Sequence, residues 1–387
     1  MKNILILFSL LLLVTISSCT KNVSAQELTL DLNNVQYKVE IPSFKDSSEI
    51  RYSDIFSKVK YVELESKCND AYISFATHVE IANNNDIIIL DFNNKKILRF
   101  DSCGHFLNLI GAVGHGHNEY LYPRSIAYDK YLDQILVWDV FARKLLFYNL
   151  DGTISKTLKM SWDFREFKVL DKDHLITFLD YNTEFNYLVA TKDGKECYKF
   201  EKIPHVEEIT TRPTSLFVFN YSDSNDILCR AEYSSIMYKA NANGATPFLA
   251  FVPKEKNWRI GKPENIHKIF QNKTASLINT AIMVNNKIII TGFIPTLDRT
   301  FMFCHDLRSG KSRGGKSVIN DIYGGVRFGS YKQHKGKDVY YLINPDDFQK
   351  SLDLWKKKKD ISQKDFQLVS KLAKCDNPIV QICTVKD

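Results

Sequence analysis

The chain repeats itself, and that repetition constrains the fold more than any other feature. Residues 86–104 hold an apolar run ending in Asp91, a polar turn, a second run from Lys96 through Leu98, and a glycine turn at Gly104. Residues 134–152 carry the same order without a gap. Asp139 falls on Asp91, Lys144 on Lys96, Leu146 on Leu98 and Gly152 on Gly104. Residues 226–244 again run from an apolar stretch to a glycine, Gly244, and looser copies follow at 174–194, 287–310 and 338–343. Each unit is a set of short β runs separated by turns, at the period of roughly 40–50 residues that marks a propeller blade. A lone blade cannot bury both faces, so radial copies must share a core. The glycine at the second turn supplies the positive φ that a tight hairpin needs.

The spacing predicts an all-β, six-bladed β-propeller over residues 53–387, with four strands per blade. Blade 1 falls at 77–111, blade 2 at 123–160, blade 3 at 162–203, blade 4 at 215–252, blade 5 at 277–321, and blade 6 starts near 325. The innermost strands are expected at 77–82, 124–128, 164–169, 216–219, 280–284 and 325–330. An aromatic content of 12%, from 25 Phe and 19 Tyr, suits strands. Blade 6 has a helical excursion at 345–376. Pro345 and Asp346 open it, Phe348, Leu352, Trp355, Phe366, Val369 and Leu372 give it an apolar face, and Pro378 ends it. Lys356 to Lys359 read as a solvated helix face. The alternating segment 60–65 should be the outermost strand of blade 6, so that the two ends of the chain close the ring. Residues 254–276, with Trp258, form an insertion that would cap one face.

The N-terminus gives an address. Met1-Lys2-Asn3 is a short basic start, and residues 4–16 are almost wholly apolar. That run is too short for a helix crossing a bilayer, which needs about 20 residues, and it suits a signal peptide over 1–18. Its end, Ser17-Ser18-Cys19, resembles the bacterial lipobox, and by that resemblance Cys19 becomes the lipidated first residue of the mature chain. An ordinary signal followed by an incidental cysteine is the alternative. Residues 19–52 then read as lipidated cysteine and tether with one or two short strands. Acyl chains would hold the protein at a membrane, at about 0.8 kcal/mol per buried methylene. No acidic run follows Cys19, which favours an outer-membrane, periplasm-facing location. The net charge of +7 is mild for this length and no basic domain stands out, so nucleic acid is not an expected partner.

Seven cysteines remain after Cys19, none in a CxxC pair or zinc-finger spacing. They read as small buried hydrophobes, with Cys375 and Cys383, which flank a turn, as the one candidate pair.

Several segments together resemble the NHL-like six-bladed β-propeller lipoproteins of Gram-negative envelopes. They are Cys19, the segment 59–65, the loop 111–120 leading to Pro123, and the ending 376–382. The resemblance spans about 53–385 and implies a six-bladed ring. More distant NHL-type propellers include lactonases and metal-dependent lyases, so the fold alone does not assign an activity.

Candidate chemistry lies mostly in the connection between blades 1 and 2. His115 and His117 would make two ligands for Zn²⁺ or Cu²⁺, but no further ligand pattern accompanies them, and they read as loop residues. Glu119, Tyr120 and Arg124 lie where propellers place binding loops. Arginine pairs with carboxylates and tyrosine stacks on sugars or peptides, while a local ion pair and a rim aromatic are the alternative. Arg143, Arg230 and Arg327 read as structural. Asp91 and Asp139, repeated at strand ends, should accept hydrogen bonds from the following turn. No nucleophile elbow, phosphate loop or zinc-protease motif occurs. The expected function is therefore a membrane-anchored, non-catalytic binding or sensing module without cofactor. Its expected ligand is an oligosaccharide, a peptide or an envelope protein, taken on the inter-blade loop face. The alternative is a metal-dependent, lactonase-like hydrolase or lyase with its site in the central channel. The inner strands would offer it His78, Glu80, Arg124, Glu166 and Arg327, a set mixed in sign.

Overall fold

Runs that are apolar on both faces become the middle strands of blades, since both faces meet neighbouring blades. Ile87–Asp91 and Ile227–Arg230 are buried throughout. Edge strands such as Ile154–Lys159 keep one side in water and mix apolar with charged residues. The computed structural model describes residues 34–43, 49–179, 184–202, 218–221, 226–231, 234–254, 277–294, 299–322, 330–358 and 362–387. Residues 1–33 with Cys19, nearly all of the insertion 254–276, Arg327 and Lys359 lie outside these.

Six antiparallel sheets form a six-bladed β-propeller. Their innermost strands are Ala76–Ile81, Pro123–Asp129, Phe164–Val169, Val218–Tyr221, Leu277–Val284 and Ser330–Lys335. Blade 6 departs from the sequence reading here: its inner strand begins at Ser330 and brings Gln333 to Glu80 of blade 1, while Lys335 donates to the Ala82 carbonyl at 2.7 Å. The ring closes as expected. Phe56–Glu63 lies outermost in blade 6 and pairs antiparallel with the C-terminal strand Ile379–Val385. Six hydrophobic clusters each join one blade to the next. Ile88, Ile126 and Leu146 meet between blades 1 and 2, for example, and Val79, Tyr340 and Val380 between blades 1 and 6.

Two short segments within the stretch read as a tether belong to the ring. Tyr37–Ile41 runs parallel along the outer strand of blade 4 and buries Val39 and Ile41 against blades 4 and 5. Glu49–Arg51 pairs in parallel with Ser317–Ile319. The excursion of blade 6 folds as the helices Pro345–Lys358 and Gln363–Leu372. Phe348, Leu352, Val369 and Leu372 pack on Ile343 and Ile379 at the strand ends. Ser362 caps the second helix by accepting from the Asp365 amide at 3.1 Å.

The repeated glycines take positive φ at Gly104, Gly152 and Gly194 but not at Gly244. In blade 4 the hairpin closes over two residues, with Asn241 opposite Gly244, so Gly244 already belongs to the strand. At Gly104 the demand is also steric, since a Cβ there would lie 2.0 Å from the Glu63 carbonyl oxygen. All seven described cysteines are free. Cys375 sits beside Glu63, and Cys383 is buried between blades 5 and 6 opposite Val59. Four residues of extended strand separate those sites, so the two thiols do not pair.

One buried carboxylate should leave a pH signature. Glu201 lies near the end of the outer strand of blade 3, Glu196–Lys202, at a positive φ, and its carboxyl group accepts from Asn186 Nδ2 at 2.9 Å. Burial pushes it up to about 6, although the Ser234 hydroxyl, Asn186 and Arg230 pull the other way. Between about pH 4.5 and 6 the folded chain holds a proton that the unfolded chain has released. Stability from this group is thus full at acid pH and is lost as pH rises through about 6. Glu201→Gln should raise stability by about 1–2 kcal/mol at pH 7.5 and change it little at pH 4.5. Urea titrations at the two pH values measure the difference; equal effects at both would refute it.

Candidate functional site

Two buried aspartates build the loop face. Asp91 ends the second strand of blade 1 and accepts from the amides of Ser74 at 2.8 Å and Phe75 at 3.0 Å, ahead of the inner strand. It also accepts from Asn94 in the turn beyond. Asp139 repeats the arrangement in blade 2. It accepts from Leu121 at 2.6 Å and Tyr122 at 3.2 Å, and from Phe141 and Ala142 at 3.1 Å. Each carboxylate thus ties an inter-blade connection to the neighbouring turn and makes that face rigid. The sequence reading saw only the bonds to the following turn.

The side chains displayed on these stapled loops are aromatic. Phe75 is 55% exposed and Phe141 69% exposed. Tyr122 stacks on Phe141 with ring centroids 4.8 Å apart, and Phe92 meets the edge of Tyr122 at 5.2 Å. Lys95 Nζ lies 5.2 Å from the centre of the Tyr122 ring. Sequence reasoning missed this row. Its signal was the aromatic residues flanking both repeated aspartates: Phe75 and Phe92 around Asp91, Tyr122 and Phe141 around Asp139.

The residues expected to bind ligand divide. Tyr120 is 1% exposed, inside the core between blades 1 and 2. Its hydroxyl donates to the Ile110 carbonyl at 3.2 Å, and burial raises its pKa. It is therefore not a ligand contact, nor a rim aromatic: the loop turns it inward and presents Tyr122 instead. Glu119 is a loop staple, because its carboxylate accepts from the Gly116 amide at 2.7 Å. A Cβ on Gly114 would sit 1.9 Å from that carboxylate, so a larger residue there would push the Glu119 side chain out of its place. His115 and His117 are exposed on the same loop. No group of three or more His, Cys, Asp or Glu is placed to hold a metal ion among the described residues. Arg124 is half-buried at the start of the inner strand of blade 2, where the register shifts between Pro123 and Ser125. No side-chain partner satisfies it among the described residues. Arg143 stands 3.4 Å from Asp163, and Arg230 is buried and donates to the Ile278 carbonyl at 3.2 Å.

The central channel is crossed by a polar lock. Glu80 of blade 1, almost fully buried, pairs with Lys168 of blade 3 and accepts from Gln333 Nε2 of blade 6 at 2.9 Å. His78 Nε2 stands 3.6 Å from Glu166, and its Nδ1 meets Thr77 Oγ1 at 3.0 Å. Blades 1 and 3 meet past blade 2 because the matching residues of its inner strand, Ser125 and Ala127, are small. A divalent cation would need Glu80 as an oxygen ligand, yet that carboxylate already neutralises the Lys168 ammonium.

Similar structures share this architecture. A protein of Bacteroides fragilis NCTC 9343 described as exported superposes with a TM-score of 0.70 at 14% identity, over 90% of this chain and 100% of its own. A member of the DUF4221 family from Bacteroides vulgatus ATCC 8482 gives 0.51 at 9% identity, over 86% of this chain and 97% of its own. Among curated protein sequences none matches. The NHL-like resemblance implied a six-bladed ring, and the ring is present. The family model that fits is another one, described as "Domain of unknown function (DUF4934)", and it covers residues 36–384. The chain belongs to the DUF4934 family.

Proposed function

We propose that this protein is a non-catalytic binding module of the cell envelope, held to a membrane by lipid on Cys19, which takes its ligand on the loop face of blades 1 and 2. The observation that carries the reading is the aromatic row, exposed Phe75 and Phe141 with half-buried Tyr122 beneath Phe141, on loops fixed by buried aspartates. Exposed aromatics cost solubility and contribute nothing to the core, so a rigid row of them on the face that carries propeller binding loops favours recognition. The signal-like start and lipobox-like end support export and anchoring, and the missing acidic run after Cys19 favours the periplasmic side.

An array of glycans and peptides, probed with the protein and with a Phe75→Ala/Phe141→Ala variant, tests the binding reading. Ligands retained by the native chain should lose at least tenfold in signal on the variant, whose melting curve should be unchanged because both side chains are exposed. Retention of every ligand would refute it. Anchoring is checked by feeding cells an alkyne fatty acid: label should enter the native chain and be absent from Cys19→Ala. Protease shaving of intact cells should leave the protein uncut if it faces the periplasm.

The competing reading, a metal-dependent hydrolase or lyase of the channel, is disfavoured by the engagement of Glu80 with Lys168. Stoichiometric Ca or Zn in protein purified without chelators, with lactone hydrolysis abolished by EDTA, would establish it.

A further inference from the structure

We propose that the aromatic row takes an acidic saccharide, with sugar rings on Phe75 and Phe141, the latter backed by Tyr122, and carboxylates met by Lys95, Arg124 and Lys144. This rests on the reading of the loop face as the binding surface and adds the class of ligand.

The first support is the placement of partners in this sector. Among the described residues, the carboxylates of its loops are engaged within the protein. Asp91 and Asp139 are covered by backbone amides, and Glu119 accepts from Gly116. Asp70 lies 3.5 Å from Lys96, and Asp163 lies 3.4 Å from Arg143. Lys95, Arg124 and Lys144 have no carboxylate partner among the described residues. Lys95 is held over the Tyr122 ring instead, and Arg124 is half-buried at the bulge that opens the inner strand. These three cations are free to meet an anion at close range, and a guanidinium matches a carboxylate with two parallel hydrogen bonds. The second support is the shape of the apolar part. The C–H face of a pyranose stacks on an aromatic face, and Phe141 offers such a face to solvent on top of Tyr122. A peptide that binds as an added strand draws its affinity from main-chain bonds to a free sheet edge. The row sits at strand ends and turns and provides no edge of that kind.

Isothermal titration of the purified full chain tests the proposal. The probes are oligogalacturonate, oligoalginate, methyl-esterified oligogalacturonate, maltohexaose and poly-L-glutamate. At least one uronate oligomer should bind, and oligogalacturonate should bind more tightly than its methyl ester. Phe141→Ala should weaken that uronate at least tenfold. Arg124→Gln should weaken it at least fivefold and remove the preference for acid over ester. Equal binding of acid and ester, binding of poly-L-glutamate alone, or binding of no probe overturns the acidic-saccharide assignment. If maltohexaose or poly-L-glutamate binds and Phe141→Ala abolishes it, the loop-face reading stands while this inference falls. If a bound probe is indifferent to both Phe75→Ala and Phe141→Ala, the loop-face reading itself has failed.

Discussion

Asp139→Ala should lower the stability of the propeller by about 3–5 kcal/mol, a loss at the top of the range for single substitutions. Four backbone amides, those of Leu121, Tyr122, Phe141 and Ala142, donate to this one carboxylate, which is completely buried. Each amide left without an acceptor costs about 1–3 kcal/mol, less where water enters the space vacated by the side chain. Asp139→Asn keeps one acceptor oxygen but turns an amide donor toward other donors, so roughly half of the loss should remain. Asp151→Ala serves as a control of the same chemistry on an exposed turn. Asp151 accepts from the Thr153 amide at 2.9 Å in open water, and its removal should cost less than about 1 kcal/mol. Urea denaturation monitored by fluorescence separates the three. Equal losses for Asp139→Ala and Asp151→Ala would show that the staple does not hold the loop face together. Since Tyr122 and Phe141 hang from this staple, Asp139→Ala should also weaken any ligand of the aromatic row.

Lys168→Met should cost about 3–5 kcal/mol, for a different reason. The substitution removes little volume but leaves Glu80 buried beside Gln333 without its counter-charge. An ion in the interior is costly because the protein solvates it less well than water, and the partner charge is what offsets that cost. Lys168→Met combined with Glu80→Gln removes both charges and should recover more than half of the loss. That non-additivity separates a charge effect from a packing effect, since lost packing would make the double variant worse than either single one. The lock spans three blades, so the loss should appear in the main cooperative transition rather than as fraying of one blade.

The sequence alone determined the ring. Blades are local units: an apolar run, a turn with Asp or Gly, and a second run recur within roughly 50 residues, and short-range pattern suffices to read them. The aspartates at 91 and 139 were legible for the same reason, as residues that serve the repeat. Closure followed from the alternation in residues 60–65 and the need to leave no open sheet edge. The site was less legible. Tyr120 and Tyr122 are two residues apart in a loop with no period, so nothing in the sequence says which faces inward. Only the packing of blade 1 on blade 2 sends Tyr120 into the core and leaves Tyr122 under Phe141. The channel lock joins residues 88 positions apart, Glu80 and Lys168, and exists because blade 2 places small side chains between them. Likewise the parallel strand Tyr37–Ile41 has no local signal marking its partner more than 200 residues away. Periodicity encodes what each blade must bury, whereas contacts across the axis and between loops depend on how six blades are set around a ring, and that is decided only when the ring closes.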